Sequence, residues 1–484
     1  MVNPSANPGV GRRITRYGAI LALSGALCHV LRLVYTIMAI NILGQEKFGR
    51  IEYFVEMAVI FTVLLDFGLE QTLTREIARR KERLKTEFAS IIGYRIAATI
   101  AGAFVMIGFL IAIAKPEHNL GIILAAGVYF CVVSMIMVVK AVSRSFELMA
   151  AEGIANFLDK FAHISAAIIL LLFYPNLPLL LLCYSLGSII SLLFFSALLY
   201  RRIRLESRIV SLGTGWSWQK LAYPIGLSAA CVLLLHRQDT VMVNWICGDG
   251  ETGLYRAPYR FLEGLFLVPQ VIAVSAYPVF SKLFHHNKPF EQTASVLMRG
   301  LLILSLPMAV GGTVIGHDIM LWAAPDLGRM GGDVFVVLVW SLPFIYLNFL
   351  LGAILNATDR QSKNFRASAA SMICNLCFNI PFIFFFGAIG ASFMTVISQG
   401  LYTLLMIWHT RDFNLIREMH RYAAILFSCA VMTAALLTTP LPWLADIFIG
   451  GSVYFIALLL SKGLSSNDRQ KLMQVLSKSN QKND

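Results

Sequence analysis

The sequence predicts an all-α polytopic membrane protein of about 14 transmembrane helices, arranged as two six-helix bundles plus two C-terminal helices. Three observations predict it. Hydrophobic residues make up 57% of the 484 and charged residues 14%, with a mean hydropathy of +0.71, which is membrane composition rather than that of a water-soluble core. Roughly fourteen apolar runs approach the ~20 residues a helix needs to cross a bilayer. Lysine and arginine concentrate in every second loop between these runs.

In chain order the runs cover residues 18–41, 51–69, 88–114, 119–142, 154–174, 177–199, 221–246, 254–277, 294–316, 334–356, 366–386, 388–408, 422–440 and 442–461. The pairs 366–408 and 422–461 have thin separators, Gly387–Gly390 and Pro440–Pro442. With the N-terminus in the cytoplasm, the inside loops are Thr74–Lys85, Lys140–Arg144, Tyr200–Arg208, Lys282–Lys288, Arg360–Arg366, His409–Arg421 and the tail after Lys462. The outside loops are Gly44–Arg50, Lys115–Asn119, Tyr174–Pro178, Gly248–Gly253, His317–Asp333, Gly387–Gly390 and Thr438–Pro442. Nearly all lysine and arginine then falls inside, as the positive-inside rule requires. The expected organisation is a first bundle over 1–200, a cytoplasmic linker over 201–220, a second bundle over 221–410, and two further helices with a cytoplasmic tail over 411–484. Both termini are expected in the cytoplasm.

The net charge of +13 would suit nucleic acid, but its confinement to loops argues for a membrane partner instead. The eight cysteines lie mostly inside apolar runs without metal-ligand spacing and read as small buried residues. The first sixteen residues are polar and basic, and the apolar run after them is too long for a signal-peptide core, so no cleavage is expected. There is no nucleotide-binding Gly-Lys-Ser/Thr loop, no metal-spaced His/Cys cluster and no nucleophile elbow. No cofactor is expected, and neither an ATP-driven pump nor a soluble-type enzyme.

Leu221 to Pro278 organises the chain. An apolar helix carries His236, Arg237 and Asp239 inside it. A polar break, Cys247–Gly253, follows, and a second helix opens with Tyr255, Arg256, Tyr259, Arg260 and Glu263. Each ionisable group at membrane depth costs about 2.5–3.5 kcal/mol on insertion scales and is tolerated where it lines water, a partner or a ligand. The layout echoes one 204 positions earlier, where Gly44–Gly49 matches Gly248–Gly253, Arg32 falls on His236, Glu52 on Arg256 and Glu56 on Arg260. Two related halves around a central site are expected.

Gly25, His29, Arg32 and Thr36 form one helical stripe, read as cavity lining or as an interhelical anchor. Ser228, His236 and Asp239 share another face; Asp239 with His236 reads as a proton or cation site or as a neutralised structural pair. Glu52 and Glu56 are expected to meet Arg256 and Arg260 as an outer gate, the alternative being side chains snorkelling to water. Glu152, Asn156, Asp159 and His163 make a further stripe, and Asn348, Asn356, Asn375 and Asn379 add polar groups; these read as helix-packing contacts more readily than as ligands. Pro224, Pro269 and Pro278 bracket the central pair and permit bending.

Taken with Leu43–Gly49, Asp66-Phe-Gly-Leu69, Thr74–Ala78, Pro224, Asp239, Gly253-Leu-Tyr255, Pro269 and Tyr277-Pro278, this layout resembles the polysaccharide transporter family of bacterial O-antigen-type flippases. That family lies within the multidrug/oligosaccharidyl-lipid/polysaccharide flippase superfamily. The resemblance implies two six-helix bundles around a central cavity, plus two helices. It also implies movement of an undecaprenyl-diphosphate-linked oligosaccharide from the cytoplasmic to the periplasmic leaflet of the bacterial inner membrane, with the bilayer and polysaccharide polymerase or assembly proteins as partners. A cationic cavity suits a diphosphate head. His29, Arg32, His236, Arg237, Arg256 and Arg260 are its candidates, with Asp239 and Glu263 as coupling-ion sites or charge partners. Two alternatives remain: a cation-coupled antiporter of the same superfamily, which would favour an acidic cavity, and a membrane-embedded glycan polymerase, which would need a larger outside loop than His317–Asp333.

Overall fold

The structure is a computed structural model that describes residues 8–79, 81–146, 149–200, 210–286, 289–415, 419–438, 442–461 and 463. The expected inside-loop residues 201–209 and the tail 465–484 lie outside the described residues, as do the side chains of Pro224 and Ser228. The described residues form fifteen α-helices and no strand: α1 Pro8–Asp66, α2 Leu69–Arg79, α3 Lys81–Ala112, α4 Leu120–Ser145, α5 Met149–Phe173, α6 Leu177–Tyr200, α7 Leu212–Cys247, α8 Asp249–Leu265, α9 Leu267–His285, α10 Glu291–Ala323, α11 Gly328–Leu338, α12 Ser341–Ala357, α13 Gln361–His409, α14 Met419–Thr438 and α15 Trp443–Leu460.

Among these residues, eleven helical segments are long and apolar enough to cross a membrane. Two of them, Ser24–Asp66 and Gln361–His409, are about twice the length a bilayer needs. Each is interrupted at a glycine, Gly44 (φ 76°, ψ 168°) and Gly387 (φ 57°, ψ −135°), in backbone regions that side chains with a Cβ avoid. At Gly387 the chain folds back. Asn364 accepts a hydrogen bond from the Tyr402 hydroxyl at 2.7 Å, and the Asn375 amide donates to Ser398 Oγ at 3.2 Å, so the two arms of α13 lie side by side. Counting both interrupted segments as pairs and adding the 36-residue α7 recovers the fourteen crossings expected from the sequence.

The chain divides into two compact units, a first over Tyr17–Gly253 and a second made of Met1–Arg16 with Leu254–Asp484. In the first, α4 packs on α6, α3 and α2, α5 on α6, and α7 on α2 and α3. Its apolar core gathers Leu73, Ile77, Ile91, Val138, Val142, Phe195 and Trp218. In the second, α12 packs on α9, α10 and α13, while α14 and α15 pair and cover α10.

Two prolines in the second unit are matched by tyrosines. Pro307 lacks an N–H, so the carbonyl of Ile303, four residues earlier in α10, has no helical donor; the Tyr454 hydroxyl of α15 donates to it at 2.9 Å. Pro269 in α9 leaves the Leu265 carbonyl in the same position, and the Tyr346 hydroxyl of α12 donates to it at 2.9 Å. An unmet buried carbonyl in hydrocarbon costs several kcal/mol, so each tyrosine stabilises a bend on another helix.

Several expected loops are helical. Lys140–Arg144 belongs to α4, and residues 45–50 and 249–253 are helical after single-residue breaks at Gly44 and Gly248. The expected outside loop His317–Asp333 is absorbed by α10, a 3-10 turn Pro325–Leu327 and α11, and its two ends meet: His317 Nε2 lies 2.8 Å from Asp333 Oδ1.

Candidate functional site

The two helical breaks that the sequence aligns lie against each other in the first unit. A Cβ on Gly49 would stand 1.9 Å from the Asp249 carbonyl oxygen, and one on Gly253 would stand 2.1 Å from that of Gln45. Gln45 Nε2 donates to the Gly250 carbonyl at 2.8 Å. Asp249 is the fastening: its Oδ2 takes Arg50 Nε at 2.7 Å, and its Oδ1 takes the Asn244 amide at 2.7 Å with His118 Nε2 at 3.4 Å. The Lys115 backbone N–H donates to His118 Nδ1, leaving the proton on Nε2 to face the carboxylate. Burial works to raise the Asp249 pKa, but the hydrogen bonds from His118, Arg50 and Asn244 outweigh it and hold the group at about 2. Glu117, His118 and Asp249 also cluster as metal-type ligands, yet both Asp249 oxygens already serve the Arg50 guanidinium and its neighbours.

Deeper in the same unit, Glu56 is fully buried and accepts Arg237 Nη1 at 2.6 Å. The sequence places both residues in the site but does not pair them. Glu52 and Asp239 are buried as well; His29, Arg32 and His236 are half-buried. Arg32, Glu56 and Asp159 all lie within electrostatic reach of the Tyr129 hydroxyl. One polar region of this unit therefore holds charges from α1, α5 and α7.

At the end of the unit away from Gly44 and Gly248, Arg95 is buried 3.3 Å from Asp66, with its Nε donating to the Ser134 carbonyl at 3.2 Å. Arg144 bridges Glu70 and Glu152, and Lys140 Nζ donates to Asn156 Oδ1 at 2.7 Å. Sequence reasoning missed the roles of Arg95 and Lys140. The signal for Arg95 was available, a lone arginine inside the run 88–114; Lys140 was hidden by its position at the predicted helix end.

In the second unit, Arg256 and Arg260 share one carboxylate. Glu263 takes Arg260 Nη1 at 2.7 Å and Arg256 Nη2 at 3.3 Å, and all three are buried. The (i, i+3) and (i, i+7) spacings place them on one face of α8, and Arg256 also lies over the Tyr259 ring at 5.2 Å. A seam of neutral polar groups runs through this unit. The Asn348 amide donates to Gln399 Oε1, Thr403 donates to Asn348 Oδ1, both at 2.8 Å, and Tyr255 and Thr395 hydroxyls are 3.1 Å apart. Asn356 accepts from Asn364 at 3.3 Å, and Asn379 donates to Asn375 at 3.2 Å. Asn348, Asn356 and Asn375 make the helix-packing contacts the sequence favoured for them, while the Asn379 bond lies within its own arm of α13.

Chemically, each unit offers buried cations held by carboxylates, which suits an anionic, hydrated ligand more than a nucleophilic reaction. A family model described as "Polysaccharide biosynthesis protein" matches residues 14–284, and the MatE model matches residues 224–382. A probable flippase from Haloferax volcanii, AglR, is 26% identical over 256 residues, which is 50% of this chain and 53% of AglR, so the match spans about half of that relative. Among solved structures, the lipid II flippase MurJ in an inward closed conformation superposes with a TM-score of 0.76 at 16% identity, covering 91% of this chain and 98% of MurJ. An inward-facing multidrug resistance MATE family transporter superposes with a TM-score of 0.64 at 14% identity, covering 83% of this chain and 100% of that one. These likenesses establish the fold.

Proposed function

Since the chain belongs to the polysaccharide biosynthesis protein family, we propose that this multi-pass membrane protein is a flippase for a lipid-linked glycan. In this reading it moves undecaprenyl-diphosphate-linked oligosaccharide repeat units across the bacterial inner membrane by alternating access, for O-antigen or related polysaccharide synthesis. The observation that carries the reading is the set of arginines on membrane helices each held by a carboxylate, Arg256 and Arg260 buried and Arg237 half-buried against the buried Glu56. A diphosphate is bound by such groups through charge-assisted hydrogen bonds, while the polyprenyl tail stays in lipid. The first and second bundles, 1–200 and 221–410, supply the moving parts, with 411–484 appended and both termini in the cytoplasm. His29, Arg32 and His236 add to the cationic lining, and Asp239 and Glu263 bind a coupling ion or position the arginines.

The gate reading assigns Glu52 and Glu56 to meet Arg256 and Arg260 during the cycle. Each of Glu56, Arg256 and Arg260 already has a partner in its own unit, so gating is then an exchange of partners rather than the making of a bond from water. Single charge reversals impair transport and a double reversal restores part of it; a double reversal no better than the singles removes the gate.

The MatE match over 224–382 favours one second reading, a cation-coupled antiporter. Deleting the gene in its host separates the two. Completed lipid-linked repeat units stranded on the cytoplasmic face support the flippase. Normal intermediates with altered tolerance to cationic compounds support the antiporter. Single units exposed outside but not polymerised overturn both in favour of a polymerase.

A further inference from the structure

We propose that the corner formed by the two ends of α13 is a binding site for an anionic phospholipid, whose phosphate is met by Lys363, Arg366 and Arg411 and whose acyl chain follows an exposed apolar stripe that ends at Trp408. The inference stands apart from the flippase reading, because its ligand is a lipid of the bilayer itself and not the cargo.

Helix α13 doubles back at Gly387, so its first and last turns lie side by side. Three hydrogen bonds fix them there. The Tyr402 hydroxyl donates to Asn364 Oδ1 at 2.7 Å, and Arg360 Nη1 donates to the His409 carbonyl at 3.1 Å and to Asp412 Oδ1 at 2.8 Å. The Arg360 guanidinium also lies 4.3 Å from the centre of the Phe413 ring. Arg360 and Asp412 are thereby engaged with each other. Lys363 and Arg366 leave the first turns of α13 beside this knot, at (i, i+3) and so on one face. Arg411 follows the last turn, with its guanidinium 5.5 Å from the Trp408 ring. His409 joins the two groups: its ring centre is 4.7 Å from that of Trp408, and Lys363 and Arg366 both act electrostatically on it. Arg366 and Arg411 are exposed and Lys363 is half-buried. Among the described residues none of these three cations has an ion-pair partner. Arg144 and Arg360, by contrast, are held by carboxylates.

The apolar side of the site points to a lipid rather than to a soluble anion. Phe393, Ile397, Leu404 and Trp408 are all exposed, and their places at i, i+4, i+11 and i+15 make one stripe about 22 Å long on the second arm of α13. The stripe runs directly into the cations. A soluble anion would use the cations alone, whereas a phospholipid matches both parts, its acyl chain along the stripe and its phosphate at the depth where an interfacial tryptophan sits. In the proposed topology this end of α13 faces the cytoplasm, so the lipid belongs to the inner leaflet.

The test uses the full chain in phosphatidylcholine vesicles containing a rising fraction of brominated lipid, either phosphatidylglycerol or phosphatidylcholine, and reads quenching of tryptophan fluorescence. Subtracting the signal of Trp408→Phe isolates Trp408. Half-maximal quenching of Trp408 is expected at a several-fold lower fraction of brominated phosphatidylglycerol than of brominated phosphatidylcholine, and in Lys363→Gln/Arg366→Gln/Arg411→Gln that ratio is expected to fall to about one. Unchanged quenching of the other tryptophans by brominated phosphatidylcholine reports that the variant is folded; Lys363→Gln alone, expected to lose part of the preference, serves if it is not. Equal quenching of Trp408 by the two lipids, or a preference that survives the triple substitution, overturns the site. Inorganic phosphate that abolishes the preference where chloride at the same ionic strength does not would replace the lipid with a soluble anion and overturn the proposal as well.

Discussion

Gly49 and Gly253 meet as equivalents. They are 204 positions apart, and so are the residues each one crowds: Asp249 lies against Gly49 and Gln45 against Gly253. Residue i touches the counterpart of j while j touches the counterpart of i, the signature of a two-fold relation, here between two stretches of one chain. The internal repeat read from the sequence is therefore a physical contact and not only a resemblance of spacing.

Because the crowding atoms are backbone carbonyls, they cannot rotate away. Gly49→Ala and Gly253→Ala are each expected to destabilise by about 1–3 kcal/mol, as overpacking does. Gly108→Ala, whose Cβ meets nothing within 4 Å, is expected to be neutral or slightly stabilising in its helix. Thermal unfolding of the three variants in detergent checks this; equal midpoints would refute the close approach.

Asp249 gives a pH signature. Its folded pKa of about 2 lies below the ordinary 3.8. A depressed carboxylate contributes stability that is fully present above the unfolded value and lost as pH falls through the folded one. The stabilisation, about 2 kcal/mol by the size of the shift, is expected to fade between about pH 4 and pH 2. Asp249→Asn should lose it at neutral pH and show a flatter acid limb, measured as unfolding midpoint against pH. Parallel curves for the two proteins would show that Asp249 titrates normally.

Glu263 holds two buried arginines, so its loss should cost more than the loss of either. Glu263→Gln is expected to destabilise by about 3–5 kcal/mol, because breaking a buried pair leaves charge uncompensated. Arg260→Gln should cost less, since Glu263 keeps Arg256. Denaturant midpoints in the reverse order would place the main support of these arginines elsewhere.

The tyrosine–proline pairs allow a two-residue test. Tyr454→Phe leaves the Ile303 carbonyl without its donor and is expected to cost about 1–3 kcal/mol. Pro307→Ala restores an N–H to that carbonyl, so the double variant should recover most of the loss. A double variant as unstable as the sum of both singles would mean the hydroxyl does not serve the bend.

The sequence made the membrane class, the fourteen crossings and the paired breaks at Gly44 and Gly248 legible, because apolar run length and glycine spacing are local signals. Even the thin separator at Gly387 was readable, since one glycine in a left-handed conformation is enough to end a helix. Extents were harder to read. Hydropathy marks where lipid ends, while helices continue past it, so His317–Asp333 looked like a loop although it is mostly helix. Partners were the least legible. Glu56 and Arg237 are 181 residues apart, and no periodicity links them, because the carboxylate that meets Arg237 is on another helix. Glu263 was easier, lying on the same face as Arg260.

The Tyr454 hydroxyl and the Ile303 carbonyl also order events in time. At about 5–20 residues per second, a ribosome delivers Tyr454 on the order of ten seconds after α10 has left it. During that interval the α10 bend at Pro307 has no donor from α15, and it gains one only when the last helix is inserted. A nascent chain stalled or cleaved before Tyr454 would carry every arginine of the proposed site, yet hold α10 with that carbonyl unmet. What such a chain lacks there is both the hydroxyl donor and the apolar cover that Tyr454 and Leu458 give Ile303.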